Sequence, residues 1–231
     1  MKLSNHLPSL TAEQIHQLDR LADLFLEWNQ KLNLSSIRNR EGVLVKHILD
    51  SLLILPFGLI KPKDRVLDLG TGGGFPGLAL AIAYPEANFT LVDATAKKIS
   101  AVQDIIRQLN LKNARTLTGR AEELGRSRQL REHFDVVVAR ALAGFPTLLE
   151  YCMPFVKPRG KFIAYQGPEL AESWMEHQKV AQELDSRIVG SKKAILPVEN
   201  AYRCFIVVEK SKTISEKYPR RTGIPKKEPL A

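Results

Sequence analysis

The segment Val66-Leu-Asp-Leu-Gly-Thr-Gly-Gly-Gly-Phe-Pro-Gly77 constrains the fold more than any other stretch of the chain. An apolar run suited to a strand enters it, and an apolar helical stretch leaves it. Glycines at 70, 72 and 74 permit positive φ and let a ligand approach the backbone closely, while Pro76 suits the first turn of the following helix. Such a strand, glycine turn and helix open a β/α-alternating sheet whose ligands lie at the carboxyl ends of the strands.

The rest of the chain continues that alternation. The apolar runs predict strands at Arg65–Leu69, Phe89–Asp93, Ala114–Thr118, Phe134–Ala139, Gly160–Tyr165, Ile188–Leu196 and Arg203–Glu209. Helical patterns fall near 77–84, 96–110, 120–130, 144–153 and 169–184. Val136-Val-Val138 is continuously apolar, as in strands covered on both faces, so the sheet is expected to be mostly parallel. No helical pattern separates the last two strands, which makes the final one a candidate to run antiparallel. Ahead of the sheet, the Thr11…Gln14 capping box and the spacing of Ile15, Leu18, Leu21, Ala22, Phe25 and Trp28 predict a helix over about 12–31. A second helical pattern precedes Pro56. The expected organisation is a helical extension over 1–60, a ligand-binding α/β domain over 61–209 and a basic tail over 210–231.

Of 231 residues, 44% are apolar and 26% charged, ordinary globular usage, and the longest apolar run, Ser51 to Ile60, is broken by Pro56 and Gly58. A membrane span is therefore not expected. Two separate cysteines and no signal-peptide pattern fit a reducing cytoplasm. The net charge is +9, and from Lys210 onward seven basic residues face Glu216 and Glu228, a balance of +5 in the tail. That favours a polyanionic partner, with a solubilising tail as the alternative.

The glycine turn itself has two readings. Gly72-x-Gly74-x-x-Gly77 satisfies the dinucleotide fingerprint, in which a pyrophosphate rests on a helix N-terminus. Against it, Asp68 places a carboxylate beside the turn, which repels a diphosphate and suits a cationic amino-acid tail. Asp93, 19 residues after Gly74, can accept both ribose hydroxyls in either case, or cap the helix after it. Gly119-Arg-Ala-Glu-Glu123 follows the third strand, where an adenine ring would be read, although its acids also suit a helix N-terminus.

With these residues in place, the chain resembles the class I S-adenosylmethionine methyltransferases, and specifically the bacterial small-subunit ribosomal RNA guanine-N7 methyltransferase family, RsmG or GidB. The likeness runs through Leu32-Asn-Leu-Ser-Ser-Ile37, Lys46-His-Ile-Leu-Asp-Ser-Leu52, Asp68 to Gly77, Arg120-Ala-Glu122, Ala139-Arg-Ala141 and Tyr218-Pro-Arg-Arg-Thr-Gly-Ile-Pro-Lys-Lys-Glu-Pro-Leu230. Thr222 departs from the family's usual proline. The resemblance implies a Rossmann-like, seven-stranded sheet and S-adenosyl-L-methionine as cofactor. Implied cofactor contacts are Gly70, Phe75, Asp93, Ala94, Thr95, Ala121, Glu122 and Arg140. The implied partner is small-subunit (16S) ribosomal RNA, free or within the 30S particle; a monomer in the cytoplasm is expected.

The residues are compatible with that chemistry. Guanine N7 has a free lone pair and no proton, so its methylation needs positioning rather than a general base. The Asn/Asp-Pro-Pro-aromatic segment expected for exocyclic amines is replaced by Ala139-Arg-Ala-Leu-Ala-Gly-Phe145, and neither Cys152 nor Cys204 has the setting of a nucleophile. Arg140 is expected at the reaction crevice, binding guanine, a phosphate or the cofactor, with a salt bridge to a helix as the alternative. Lys46 and His47 read as a solvated helix face. Arg220, Arg221, Lys226 and Lys227 with Tyr218 are expected either to hold RNA or to fold back on the domain. A nicotinamide-dependent oxidoreductase and a non-catalytic RNA-binding protein are the competing functions.

Overall fold

The computed structural model describes residues 1–231, the side chain of Ala171 excepted. Helix α1, Ala12–Leu32, starts at the expected capping box: Gln14 N–H donates to Thr11 Oγ1 at 3.2 Å and Thr11 N–H to Gln14 Oε1 at 2.9 Å. Asn33 ends it in the left-handed conformation. A second helical segment follows as α2, Arg40–Val43, a π-helical stretch Leu44–Leu49, and α3, Asp50–Leu52. Local widening of this kind recurs at functional sites, and here it carries Lys46 and His47, with Asp50 at the start of α3 directly after it.

The sheet comprises β1 Arg65–Leu69, β2 Asn88–Asp93, β3 Ala114–Thr118, β4 Phe134–Arg140, β5 Val156–Gln166, β6 Ser186–Leu196 and β7 Ala201–Lys210. Its order is β3-β2-β1-β4-β5-β7-β6. The first five strands pair in parallel, and β7 enters antiparallel between β5 and β6. The connecting helices are α4 Gly77–Ala83, α5 Ala96–Gln108, α6 Ala121–Leu124, α7 Phe145–Cys152, α8 Leu170–Ser173 and α9 Gln178–Glu183, with α10 Ile224–Lys227 near the end.

Two apolar layers cover the sheet. On one face, the N-terminal helices pack with α4 and α5 around Phe25, Ile48, Leu78, Phe89 and Val138. Gln14 Nε2 donates to Ile82 O at 2.9 Å and Trp28 Nε1 to Asp104 at 3.0 Å, so α1 is fastened to α4 and α5. On the other face, α7, α9 and the C-terminal tail enclose Leu148, Cys152, Phe155, Ile206 and Tyr218. Strand order reverses between β1 and β4, and ligand crevices of open parallel sheets form at such switch points.

Candidate active site

The glycine turn is organised by two aspartates. Asp68 is fully buried; its Oδ2 accepts from Thr71 Oγ1 at 2.6 Å and from Gly77 N–H at 2.7 Å, while Oδ1 has no hydrogen-bond partner. Burial pushes its carboxyl up to about 6, opposed by those two hydrogen bonds. Asp68 thus holds the turn closed. Asp93 closes the other side: Oδ2 accepts from Gly72 N–H at 3.0 Å and Oδ1 from Thr95 N–H at 2.8 Å. Thr95, not Asp93, is the N-cap residue of α5.

The turn's donors decide what it can bind. Gly70 and Thr71 N–H both donate to Val92 O, Gly74 and Phe75 N–H to Thr71 O, Gly72 to Asp93 and Gly77 to Asp68. The row of free amides that a pyrophosphate would need is already engaged within the fold. A nucleoside without phosphates makes no such demand.

Beyond the turn lies a cleft of about 220 Å³ lined by Leu69, Gly70, Asp93, Ala94, Ala121 and Glu122, with Leu142, Tyr151 and Lys226 opposite. Gly70 has φ +75°, and a Cβ there would stand 2.6 Å from Leu142 Cδ1, so a side chain would obstruct the cleft. These residues fit an adenosyl group: apolar walls for a base, and at Asp93 two oxygens that each keep a lone pair for a ribose hydroxyl. Burial, then the adjacent Glu122 carboxylate, pushes the Tyr151 phenol up to about 12, so it stays protonated.

Of the residues expected at the cofactor, five line this cleft: Gly70, Asp93, Ala94, Ala121 and Glu122. Phe75, Thr95 and Arg140 do not. Phe75 is 5% exposed and stacks on His47, with ring centroids 5.0 Å apart. Thr95 points to solvent at the head of α5. Arg140, at the end of β4, donates from Nη1 to Asp50 Oδ2 at 2.7 Å, which is the helix salt bridge weighed as an alternative.

Arg140 instead lines a second cleft, of about 350 Å³, with Asp50, Ala143, Tyr165, Arg203 and Phe205. Asp50 bridges two guanidinium groups, because Arg203 Nε donates to its Oδ1 at 2.5 Å. One carboxylate between two arginines leaves this cleft net positive. Ala143 borders both clefts.

His47 corrects the expectation of a solvated face. It lies between Phe25 and Phe75, its Nε2 is 3.0 Å from Ser35 Oγ, and its Nδ1 faces Arg140 at 3.5 Å. Burial, and then the Arg140 charge, bring it down to about 4, so the ring is neutral at physiological pH. Lys46 alone faces outward, paired with Glu199. Both cysteines are buried, and burial pushes both thiols up, which removes the thiolate a nucleophile requires.

For the tail, the structure takes the folded-back alternative. Tyr218 is 2% exposed and its hydroxyl bonds Glu183, so it offers no stacking face. Arg220 is locked on Glu150, whose carboxylate is fully buried. Lys210, the first cation counted there, buries its ammonium on Glu132. Arg131 and Arg126 bind the carbonyls of Ile214, Ser215, Tyr218 and Pro219, so the tail folds back as a packed strap. Its prolines suit that extended path, whereas net charge does not reveal which cations turn inward.

Asp50 and Arg203 were not singled out by sequence reasoning. Asp50 lies within the Lys46–Leu52 block, but nothing in the local pattern links it to Arg140 and Arg203, 90 and 153 residues away.

Comparison with known proteins places the chain. The family model described as rRNA small subunit methyltransferase G, GidB, matches residues 14–195. The chain belongs to the GidB family. A GidB relative in Acetivibrio thermocellus, a ribosomal RNA small subunit methyltransferase G, is 42% identical over 224 residues, covering 96% of this chain and 91% of that protein. Another in Alkaliphilus metalliredigens, of the same description, is 39% identical over 217 residues, covering 94% and 91%. Among solved structures, a SAM-dependent methyltransferase from Aquifex aeolicus superposes with TM-score 0.53 at 17% identity, covering 73% of this chain and 92% of that one. At that identity the likeness concerns the fold. GidB membership makes the chain an S-adenosylmethionine-dependent rRNA methyltransferase and sets aside the nicotinamide and non-catalytic alternatives. Among the described residues, no helix is long and apolar enough to cross a membrane.

Proposed function

We propose that this chain methylates N7 of a guanine in 16S ribosomal RNA, in the cytoplasm, as a monomer and without a covalent enzyme intermediate. The observation that carries the reading is the pair of clefts meeting at Ala143, at the carboxyl ends of the central strands. The first, with Gly70, Asp93, Ala94, Ala121 and Glu122, holds the cofactor, and Arg140, Phe75 and Thr95 support it from outside. When bound, S-adenosylmethionine supplies a methyl group activated on a sulfonium.

The second cleft receives the base. Arg140 and Arg203 present guanidinium donors that suit guanine O6 or a neighbouring phosphate, and Tyr165 and Phe205 supply apolar wall. Asp50 holds the two arginines in place. In the second cleft the carboxylate is already engaged, both Asp50 oxygens accepting from arginine, and both nitrogens of His47 beside Arg140 have neighbours in hydrogen-bonding reach. Attack by N7 requires no base, so alignment is the contribution asked of these residues. The division into an extension over 1–60, a catalytic domain over 61–209 and a terminal segment over 210–231 assigns the base cleft jointly to the first two.

The test is incubation of purified protein and S-adenosylmethionine with 16S RNA, and separately with 30S particles, from cells lacking the protein. Reduction followed by aniline cleaves RNA at N7-methylguanine. One new cleavage in either substrate is expected. A methyl on another atom, or none in both, would overturn the proposal.

A further inference from the structure

The strap formed by the C-terminal residues ends at the cofactor cleft, and the domain is built to hold it there. Glu122 Oε1 accepts from Gly223 N–H at 2.9 Å, and Thr147 Oγ1 donates to Pro225 O at 3.0 Å. Arg220 grips Glu150 through its backbone N–H at 2.8 Å and Nη2 at 2.6 Å, and also donates to Glu228 O at 2.7 Å. Glu122 is 6% exposed and Glu150 is not exposed at all. Buried carboxylates left without donors are strongly unfavourable, so α6 and α7 carry acids whose place depends on the strap. Gly223, at φ +88°, turns the chain so that its N–H meets Glu122.

The strap's cations differ in place. Arg220 is half-buried on Glu150, while Arg221, Lys226 and Lys227 are exposed; of these Lys226 lines the cleft together with Asp93, Ala94, Ala121 and Glu122. We infer that Gly223–Lys227 is part of the nucleoside-binding site, with Lys226 contacting the bound nucleoside and the Glu122–Gly223 hydrogen bond latching the strap over it. This rests on the cofactor reading of the cleft proposed above. The ammonium carries three donors, and purine ring nitrogens and ribose oxygens are acceptors. The strap therefore serves the cofactor, and Arg221 and Lys227 remain for RNA.

The experiment measures S-adenosylhomocysteine affinity by titration calorimetry, without RNA, together with thermal melting. Lys226→Ala should weaken binding by about tenfold, roughly one charge-assisted hydrogen bond, with an unchanged melting temperature. Thr147→Val, which removes an anchor outside the cleft, should weaken it in the same direction. A chain ending at Arg221 keeps the Tyr218 and Arg220 anchors and should lose more affinity than either. Arg221→Ala, which removes an exposed strap cation outside Gly223–Lys227, should bind as wild type does. Wild-type affinity in Lys226→Ala overturns the inference and leaves the cofactor cleft standing. Absence of binding by the unaltered chain overturns both. Should the shortened chain fail to fold, Lys226→Ala decides alone.

Discussion

Glu150→Ala should be among the most destabilising single substitutions in the chain, costing about 3–5 kcal/mol because a buried ion pair loses one partner. Glu150 sits on α7 beneath the strap with no exposed surface, and every hydrogen bond to its carboxylate comes from Arg220: the backbone N–H, Nε and Nη2. Removing the acceptor strands a guanidinium whose side chain is 26% exposed, together with a backbone N–H. The partial exposure of Arg220 lets water take up some of its donors, which favours the lower end of that range. For a chain of this length, a loss of about 3 kcal/mol lowers the melting temperature by roughly 6–12 °C. Lys46→Ala is the contrast. It removes a pair to Glu199 in which the lysine side chain is 49% exposed, and such surface pairs contribute about 0–1 kcal/mol. Glu150→Gln keeps one acceptor and should fall between the two. Equal melting of Glu150→Ala and Lys46→Ala would mean that the strap is not held by this pair.

Asp93→Ala should have the largest effect on the cofactor, weakening S-adenosylhomocysteine binding by about 100-fold. Two ribose hydroxyls donating to one carboxylate contribute about 1.5 kcal/mol each, and about 3 kcal/mol corresponds to a little over two powers of ten. The substitution also frees Gly72 and Thr95 N–H, both at the partly open rim, where water can replace the lost acceptor. Melting should accordingly change by only a few degrees, on the order of 1 kcal/mol. Asp93→Asn, which retains one carbonyl oxygen, should recover part of the affinity. Calorimetry on the three chains measures the series; binding by Asp93→Ala within about threefold of wild type would remove Asp93 from the site.

The features legible from sequence were those set by local pattern. The unbroken apolar run Val136-Val-Val138 became a strand between β1 and β5, covered on both faces. The Thr11–Gln14 pattern became the capping box of α1, and the glycines at 70, 72 and 74 all take positive φ. Where pattern weakened, so did the reading. The helix expected over 120–130 is only Ala121–Leu124, since the polar stretch after Gly125 has no apolar stripe to bury. The one expected over 169–184 is divided into α8, a 3-10 turn at Trp174–His177 and α9. β5 begins at Val156, because a register irregularity against β4 lets the strand continue through Pro158 and Arg159.

Residues whose role depends on distant partners were not legible. Glu122 reads only as a cofactor contact or a helix N-terminal acid, Glu150 draws no reading, and the choice between an RNA grip and a folded-back tail stays open until Arg220 is seen against Glu150 and Gly223 on Glu122. His47 looked solvated because its shielding comes from Phe25 on α1 and Phe75 in the glycine turn, two elements apart in sequence. Charge and periodicity are properties of a segment, whereas these contacts are properties of the fold.

The most direct test is a crystal structure of the full chain grown with S-adenosylhomocysteine. The ligand is expected between Gly70 and Glu122, its ribose hydroxyls on Asp93 and Lys226 closing over it, with its sulfur turned toward the Arg140 cleft. A ligand bound elsewhere, in crystals where Leu142 still fills the space beside Gly70, would contradict the assignment of this cleft.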